Sequence, residues 1–250
     1  MNIGPFDPLF RNPHLQTIAG HFWRRHGEES RFPVQPRLYR TEPEVEVLVQ
    51  SQRPDGRTAG EVVMVHGLEG SGEAGYVRSL GGAALRAGFA AHRFHMRTCG
   101  GTERRCGTLY HAQRDNLLYE RRFVQRMRTR LRATGRYRKS ELAGLRSVTQ
   151  IDDRITAPSF GFGTAERYYS TQSAVRYLEG IRVPALLIHA QDDTLVPFGS
   201  VRTHAVRANS LIELLDCEYG GHLGFIGRRP HRFWADYAIM EWITRRARVA

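Results

Sequence analysis

Apolar residues occur along the chain in short runs that alternate with stretches of helical spacing. Strands are predicted at 44–50, 61–65, 89–95, 183–189 and 211–217. Helices are predicted at 76–87, 116–133, 164–178 and 231–247. The proline-punctuated residues 1–40 are expected to be irregular. Because strands alternate with helices, we expect an α/β fold with a mostly parallel sheet flanked by helices.

Length and hydrophobic content predict one folded domain, or at most two. The chain has 250 residues, of which 41% are hydrophobic, enough for one substantial core over 1–250. The first 20 residues contain no apolar run, so no signal peptide or anchor is expected. The longest apolar runs, near 62–65 and 183–188, are far shorter than the roughly 20 residues that span a bilayer.

The cysteine pattern bears on the cellular compartment and on metal binding. Cys99, Cys106 and Cys217 are odd in number and irregularly spaced, which argues against a disulfide framework and predicts a cytoplasmic protein. A metal site formed by Cys99, Cys106 and His111 does not match zinc-ligand spacing. We therefore expect neither a metal nor another cofactor.

The formal net charge of +12 raises the question of a polyanionic partner. Lys139 is the only lysine, and six arginines lie on or beside the polar face of helix 116–133. A solvated amphipathic helix explains that face, so nucleic acid is not the expected partner. Peripheral membrane contact and a non-enzymatic binding protein with a basic helix over 116–138 remain alternatives.

Three loops that each follow a predicted strand carry candidate chemistry. The glycine-rich loop 66–71 could direct backbone N–H groups at an oxyanion, or it could simply be a tight turn. Asp193, after strand 183–189, could orient a histidine or cap a helix. His222, after strand 211–217, could act as a general base, although a lone histidine is more often incidental.

The order of these three loops is more informative than any one of them. A glycine loop, then Asp193, then His222 about 29 residues later follows the chain order of the α/β-hydrolase triad, in which serine, aspartate and histidine succeed one another. Sites in open α/β sheets also lie at the carboxyl ends of strands. The pattern therefore predicts an α/β-hydrolase fold.

Motifs scattered over nearly the whole chain point to one branch of that superfamily. They are Asn12-Pro13-His14-Leu15-Gln16-Thr17, His66-Gly67-Leu68-Glu69-Gly70-Ser71, Arg97-Thr98-Cys99-Gly100-Gly101, Leu109-Tyr110-His111, Gly161-Phe162-Gly163 with Tyr168-Tyr169, His189-Ala190-Gln191-Asp192-Asp193 and Gly221-His222-Leu223-Gly224. The sequence resembles the YheT-like branch of the α/β-hydrolases. This resemblance implies a serine hydrolase that acts on carboxylic esters with lipid-like or short-chain acyl groups. It gives the acid role to Asp193, the base role to His222 and an oxyanion-hole N–H to Leu68.

The nucleophile that this resemblance requires is missing from the motifs. It should lie in a small-x-Ser-x-small elbow between a strand and a helix. Only Ser159 has small residues at both flanking positions, but residues 149–155 before it do not resemble a buried strand. Ser159 also falls in a cap-like helical segment predicted over 114–180. Turn chemistry explains Ser71, so an active esterase that uses Ser159 or Ser71 is the alternative.

The spacing of strands suggests that a whole block has been lost. Between residues 95 and 183 the fold normally contains two further strands, whereas 112–160 contains no apolar run of four residues. We expect a deletion junction close to 112–115 and a sheet that lacks central strands. Strands 61–65 and 183–189 would then pair directly or leave buried edges unsatisfied. The sequence therefore predicts a family member that retains the aspartate and histidine but has impaired activity.

Overall fold

A computed structural model describes residues 3–67, 70–106 and 117–248, without the side chains of 117–119 and Val175. The chain divides into two compact units, one comprising Met1–His26 with Gln172–Ala250 and the other Gly27–Thr171. The single domain over 1–250 and the cap-like segment over 114–180 stay predictions.

The unit formed by Gly27–Thr171 contains a four-stranded mixed sheet. Its strands are β1 (Gln35–Glu42), β2 (Val45–Gln52), β3 (Glu61–Val65) and β4 (Ala90–Phe94). They lie in the order β1-β2-β4-β3, with β3 parallel to β4 and the other two pairings antiparallel. Helix α2 (Gly75–Arg86) joins β3 to β4. The predicted strands 44–50, 61–65 and 89–95 and the helix 76–87 are thus present, with ends shifted by at most two residues.

Strand β3 lies at the edge of this sheet. Val62 and Met64 are buried, but Val63 and Val65 are 64% and 55% exposed. Within the described ranges β3 pairs with β4 alone. One face of β3 is therefore packed in the core, and the other is exposed among the described residues.

A group of helices follows the sheet in the same unit. It comprises α3 (Leu117–Ala133), α4 (Lys139–Leu142), α5 (Val148–Ile151), a π-helical turn (Asp152–Thr156), α6 (Ala157–Ser159) and α7 (Ala165–Gln172). Val124, Met127 and Leu131 of α3 are buried in one apolar cluster. Other members of that cluster are Leu142, Leu145, Val148, Ile151 and Ile155. The amphipathic helix predicted over 116–133 is confirmed, and residues 149–155 are helical rather than a strand.

The Gly161–Tyr169 motif is attached to the π-helical turn. The hydroxyl of Tyr169 donates a hydrogen bond to Asp152 Oδ2 at 2.7 Å, and the N–H of Ala165 donates to Asp153 Oδ1 at 2.9 Å. These two bonds fix the start of α7 against the preceding turn.

The other unit contains a two-stranded parallel sheet. Strand β5 (Ala185–Ala190) pairs with β6 (Ile212–Cys217), and helices α8 (Val175–Leu178), α9 (His204–Ala208) and α10 (Trp234–Ala247) accompany them. An apolar cluster of Ala190, Cys217, Phe225, Trp234 and Ala238 forms its core. Helix α10 begins at 234 instead of 231.

The helix predicted over 164–178 is interrupted between α7 and α8, at residues 173 and 174. Just before the break, the hydroxyls of Ser170 and Thr171 both donate to the carbonyl of Arg167, at 3.1 and 2.7 Å. Such side-chain bonds to a helical carbonyl compete with backbone bonding and favour bends.

The expectation that residues 1–40 are irregular is wrong. Helix α1 (Pro13–Phe22) begins after Asn12, whose side chain accepts a hydrogen bond from the N–H of Leu15 at 3.0 Å. Proline at the first helical position and asparagine before it are known start signals. Strand β1 is exposed along its whole length, so it lacks the alternation that reveals strands and forms by pairing with β2.

Strands β3 and β5 belong to separate sheets and do not pair with each other. Of the four strand pairings, β3–β4 and β5–β6 are parallel, so the sheet structure is mixed rather than mostly parallel. Within the described parts of the chain, no helix is long and apolar enough to cross a membrane.

Candidate active site

Asp193 and His222 lie on loops that leave neighbouring strands at the same edge. β5 and β6 run parallel with Ala190 opposite Cys217, so the loops that follow them emerge together. Asp193 Oδ2 and His222 Nδ1 are 3.0 Å apart, a hydrogen-bond distance. The two residues singled out as acid and base are therefore in direct contact.

The carboxylate of Asp193 is held in a fixed orientation. Its Oδ1 accepts hydrogen bonds from the N–H groups of Leu195 and Val196 at 2.7 and 2.8 Å, and the side chain is 7% exposed. Burial acts to raise the pKa of Asp193, but the hydrogen bonds from His222 and the two amides outweigh it, and the net pKa is lowered. Asp193 therefore closes a local turn and also contacts the histidine. It does not cap a helix, because the next helical turn begins at Phe198 and is preceded by Pro197.

The His222 ring is oriented by this contact. Because an ionised carboxylate only accepts hydrogen bonds, Nδ1 carries the proton and, in the neutral ring, Nε2 carries the lone pair. Nε2 makes no hydrogen bond with residues 3–26 and 172–248, and the side chain is 28% exposed. This tautomer can accept a proton at Nε2, as a triad base does.

Hydrogen bonds with helix α1 hold the loop that carries His222 in place. The N–H of His222 donates to Thr17 Oγ1 at 2.9 Å, and that hydroxyl donates to the carbonyl of Pro13 at 2.8 Å. Gln16 is fully buried; its amide donates to the carbonyls of Phe10 and Ile226, and its Oε1 accepts from the N–H of Ile226. This role of the Asn12–Thr17 motif was not predicted, although Asn12 followed by Pro13 is a pattern that marks the beginning of a helix.

Close backbone approach requires the glycines of the His222 loop. Gly221 has φ +57°, and a Cβ on it would lie 2.4 Å from the carbonyl oxygen of Pro13. A Cβ on Gly224 would lie 2.4 Å from the carbonyl oxygen of Gln16. The motif around His222 is therefore shaped to fit the backbone of α1.

Two further residues of this site were not predicted. Asp192 Oδ1 accepts a hydrogen bond from the N–H of Gly221 at 2.8 Å, and burial raises the pKa of Asp192. His189 Nε2 lies 3.9 Å from Asp193 Oδ2, while its Nδ1 donates to the carbonyl of Ala190 at 2.8 Å. Asp193 thus lies between two histidines, and Asp192 ties the two loops together.

The glycine-rich loop belongs to the Gly27–Thr171 unit, and Leu68 lies outside the described residues. Around it, the N–H of Gly67 donates to the Tyr76 hydroxyl at 2.7 Å, and the N–H of Gly72 donates to His95 Nδ1 at 3.3 Å. His66 Nε2 accepts from the N–H of Met96 at 3.2 Å. Burial lowers the pKa of both His66 and His95, so these neutral rings support the loop backbone.

The two serines considered as nucleophiles are engaged in local structure. The Ser159 hydroxyl donates to the carbonyl of Ile155 at 2.6 Å, at the end of a helical stretch rather than in a strand-to-helix elbow. Ser71 Oγ accepts from the N–H of Glu73 at 3.2 Å, as turn chemistry predicts. The Leu109–His111 motif and the junction at 112–115 lie outside the described residues.

Cys99, Cys106 and Cys217 are buried and form no disulfide with one another. His111, the third member of the metal site considered above, lies outside the described residues. Over the described ranges, no group of three or more histidine, cysteine or acidic side chains could hold a metal ion.

Several known proteins are similar to this chain. No family model matches the chain. Escherichia coli YheT, named as a candidate esterase, is 27% identical over 94% of this chain and 91% of its own length. The monoacylglycerol lipase of Saccharomyces cerevisiae is 36% identical over 38% of this chain and 21% of the lipase. A solved esterase of Pyrococcus furiosus superposes with a TM-score of 0.50 at 14% identity, covering 89% of this chain and 95% of that one.

Over nearly its whole length the chain is similar to YheT, which is named as a candidate esterase. The superposition on the Pyrococcus esterase bears out the α/β-hydrolase fold. An abhydrolase domain-containing protein of Dictyostelium discoideum, 32% identical, is matched over 27% of its length, so this YheT-like chain spans only a minor part of that relative and of the yeast lipase.

Proposed function

We propose that this YheT-like chain retains the acid–base half of a serine-hydrolase triad and lacks its nucleophile, so that ester hydrolysis is severely impaired. In this proposal Asp193 orients His222 and stabilises its imidazolium, and His222 is the base. The 3.0 Å contact between Asp193 Oδ2 and His222 Nδ1 is the observation that carries it. The N–H of Leu68 would be one oxyanion donor.

Two observations support the loss of the nucleophile as part of a block. Ser159, the one serine with small flanking residues, ends a helix and donates to a helical carbonyl. The alignment with YheT extends over 317 positions, although this chain has only 250 residues, so YheT contains many residues that have no counterpart here. The loss of the elbow together with its strand and helix would account for both observations.

The names of the relatives support the proposed substrate class. Similar proteins include a monoacylglycerol lipase and a yeast medium-chain fatty acid ethyl ester synthase/esterase. We therefore infer descent from enzymes of carboxylic esters with lipid-like or short-chain acyl groups, with peripheral membrane contact where such substrates reside. The three cysteines form no disulfide with one another, which supports a reducing, cytoplasmic setting.

Hydrolysis of p-nitrophenyl butyrate tests this proposal. We expect the wild-type protein and His222→Ala to hydrolyse the ester at rates within about threefold of each other, because a base without a hydroxyl to deprotonate adds little. In a working triad, loss of the histidine costs on the order of 10⁶-fold in kcat. A drop of about 100-fold or more in His222→Ala would contradict the proposal.

Ser159→Ala and Ser71→Ala are the matched controls for the alternative, an active esterase with an unusual nucleophile. Each removes one hydroxyl whose hydrogen bond is local to the backbone. We expect neither variant to change the rate. Loss of hydrolysis in one of them, together with its loss in His222→Ala, would establish the alternative.

A further inference from the structure

A groove in the Gly27–Thr171 unit concentrates positive charge from three segments of the chain. It lies along α3 and the residues that follow it, and it has a volume of about 710 Å³. Its cationic lining consists of Arg121, Arg128, Arg132, Lys139 and Arg146. We refer to it as the basic groove.

The cations of the basic groove are not neutralised by the surrounding protein. Among the residues that the structure describes, none of the five side chains forms an ion pair or a side-chain hydrogen bond. Glu120 is the one acidic residue in the lining, and its Oε1 accepts a hydrogen bond from the N–H of Val148 at 3.1 Å. Other arginines of this unit, such as Arg78 and Arg86, are paired with glutamates. The groove therefore carries a net positive charge that an anion could neutralise.

The arrangement of these cations suits an anion with several charges in a row. Arg121, Arg128 and Arg132 share one stripe of α3, at intervals of about 10 and 6 Å along the helix axis. Guanidinium groups bind phosphate oxygens through two parallel hydrogen bonds, which favours phosphate over a simple halide. Val124 and Leu142 form a buried apolar floor that fixes the shape of the groove.

The lining also argues against two other polyanions. Single-stranded nucleic acid is bound on aromatic side chains that stack with bases, and none of the described side chains that line the groove is aromatic. Membrane-surface helices insert large apolar residues, and none of the exposed large apolar side chains lies between 117 and 160 in the described chain. We propose that the basic groove binds a multivalent phosphate anion, of the oligophosphate class, independently of Asp193 and His222.

Binding of inorganic tripolyphosphate, measured by calorimetry at low and moderate salt, tests this proposal. We expect saturable binding to the wild-type protein and affinity about tenfold weaker in Arg128→Gln/Arg132→Gln, since each exposed ion pair contributes modestly. The matched control is Arg57→Gln/Arg126→Gln, which removes the same charge from two exposed arginines outside the groove. We expect the control to bind nearly as tightly as wild type. Circular dichroism melting verifies that both double variants fold.

Three results would overturn the proposal. One is an equal loss of affinity in both double variants, which would indicate diffuse attraction by net charge. The others are groove-dependent binding of an oligothymidylate or of phosphatidylglycerol vesicles that tripolyphosphate does not displace, which would assign the groove to nucleic acid or to a lipid surface. His222→Ala should bind tripolyphosphate normally, so failure of the proposed function leaves this test unaffected.

Discussion

Hydrogen-bond partners distinguish the histidines of this chain from one another. His66 accepts a hydrogen bond from the N–H of Met96 and His95 accepts one from the N–H of Gly72, and burial lowers the pKa of both rings. Both rings therefore hold nearby backbone in place. His222 instead has Nδ1 on a carboxylate. The chain order of the motifs was enough to predict His222. His189 could not be predicted, because its distance from Asp193 is set by the turn after β5.

The pKa values of Asp192 and Asp193 shift in opposite directions, which predicts opposite pH dependence. Asp193 has a lowered pKa in the folded state, so its stabilisation is present above the unfolded pKa and is lost as the pH falls through the folded one. Asp192 has a raised pKa, so its contribution is present at low pH and is lost as the pH rises through the folded pKa.

Urea unfolding of Asp193→Asn and Asp192→Asn from about pH 3 to about pH 7 measures this difference. We expect Asp193→Asn to lower the free energy of unfolding by about 2 kcal/mol near neutral pH, the scale of a hydrogen bond to a charged group, and by less in acid. Asp192→Asn should become relatively more stable, compared with wild type, as the pH rises. Parallel pH profiles for the two variants would show that the carboxylates do not differ as described.

Apolar periodicity predicted the elements that bury one face through residues close together in the sequence. β4, α2 and α3 match the predicted segments within two residues because their apolar spacing reflects local packing. The support of the His222 loop by α1 was not predictable in this way, since Thr17 and His222 are 205 residues apart. β1 was missed because a fully exposed strand carries no alternation.

Gly221→Ala tests the fit between the His222 loop and α1. The added Cβ would lie 2.4 Å from the Pro13 carbonyl oxygen, on a residue with φ +57°. We expect thermal or urea unfolding to show a loss of about 2 kcal/mol or more, from strain and forced separation. Gly199→Ala, in the same unit and with open space around the new Cβ, should change stability by less than about 0.5 kcal/mol. Equal effects would contradict the close packing.

At the scale of the whole molecule, the proposed loss of the nucleophile depends on what lies between β4 and β5. The sequence predicted missing strands from the lack of apolar runs over 112–160, and the described chain has six strands divided between two sheets. Strand β3 presents Val63 and Val65 to solvent. The proposed loss of a block between β4 and β5 would account for this exposure. Division into two compact units was not predictable, because apolar periodicity does not reveal which elements pack together.

Covalent labelling with a fluorophosphonate, read by intact mass, tests the loss of the nucleophile most directly. The probe reacts with a serine that a neighbouring histidine activates. If the proposed function is right and no serine is activated by His222, the wild-type protein will acquire no more label than His222→Ala. Stoichiometric labelling of one serine in the wild-type protein, absent from His222→Ala, would contradict the account.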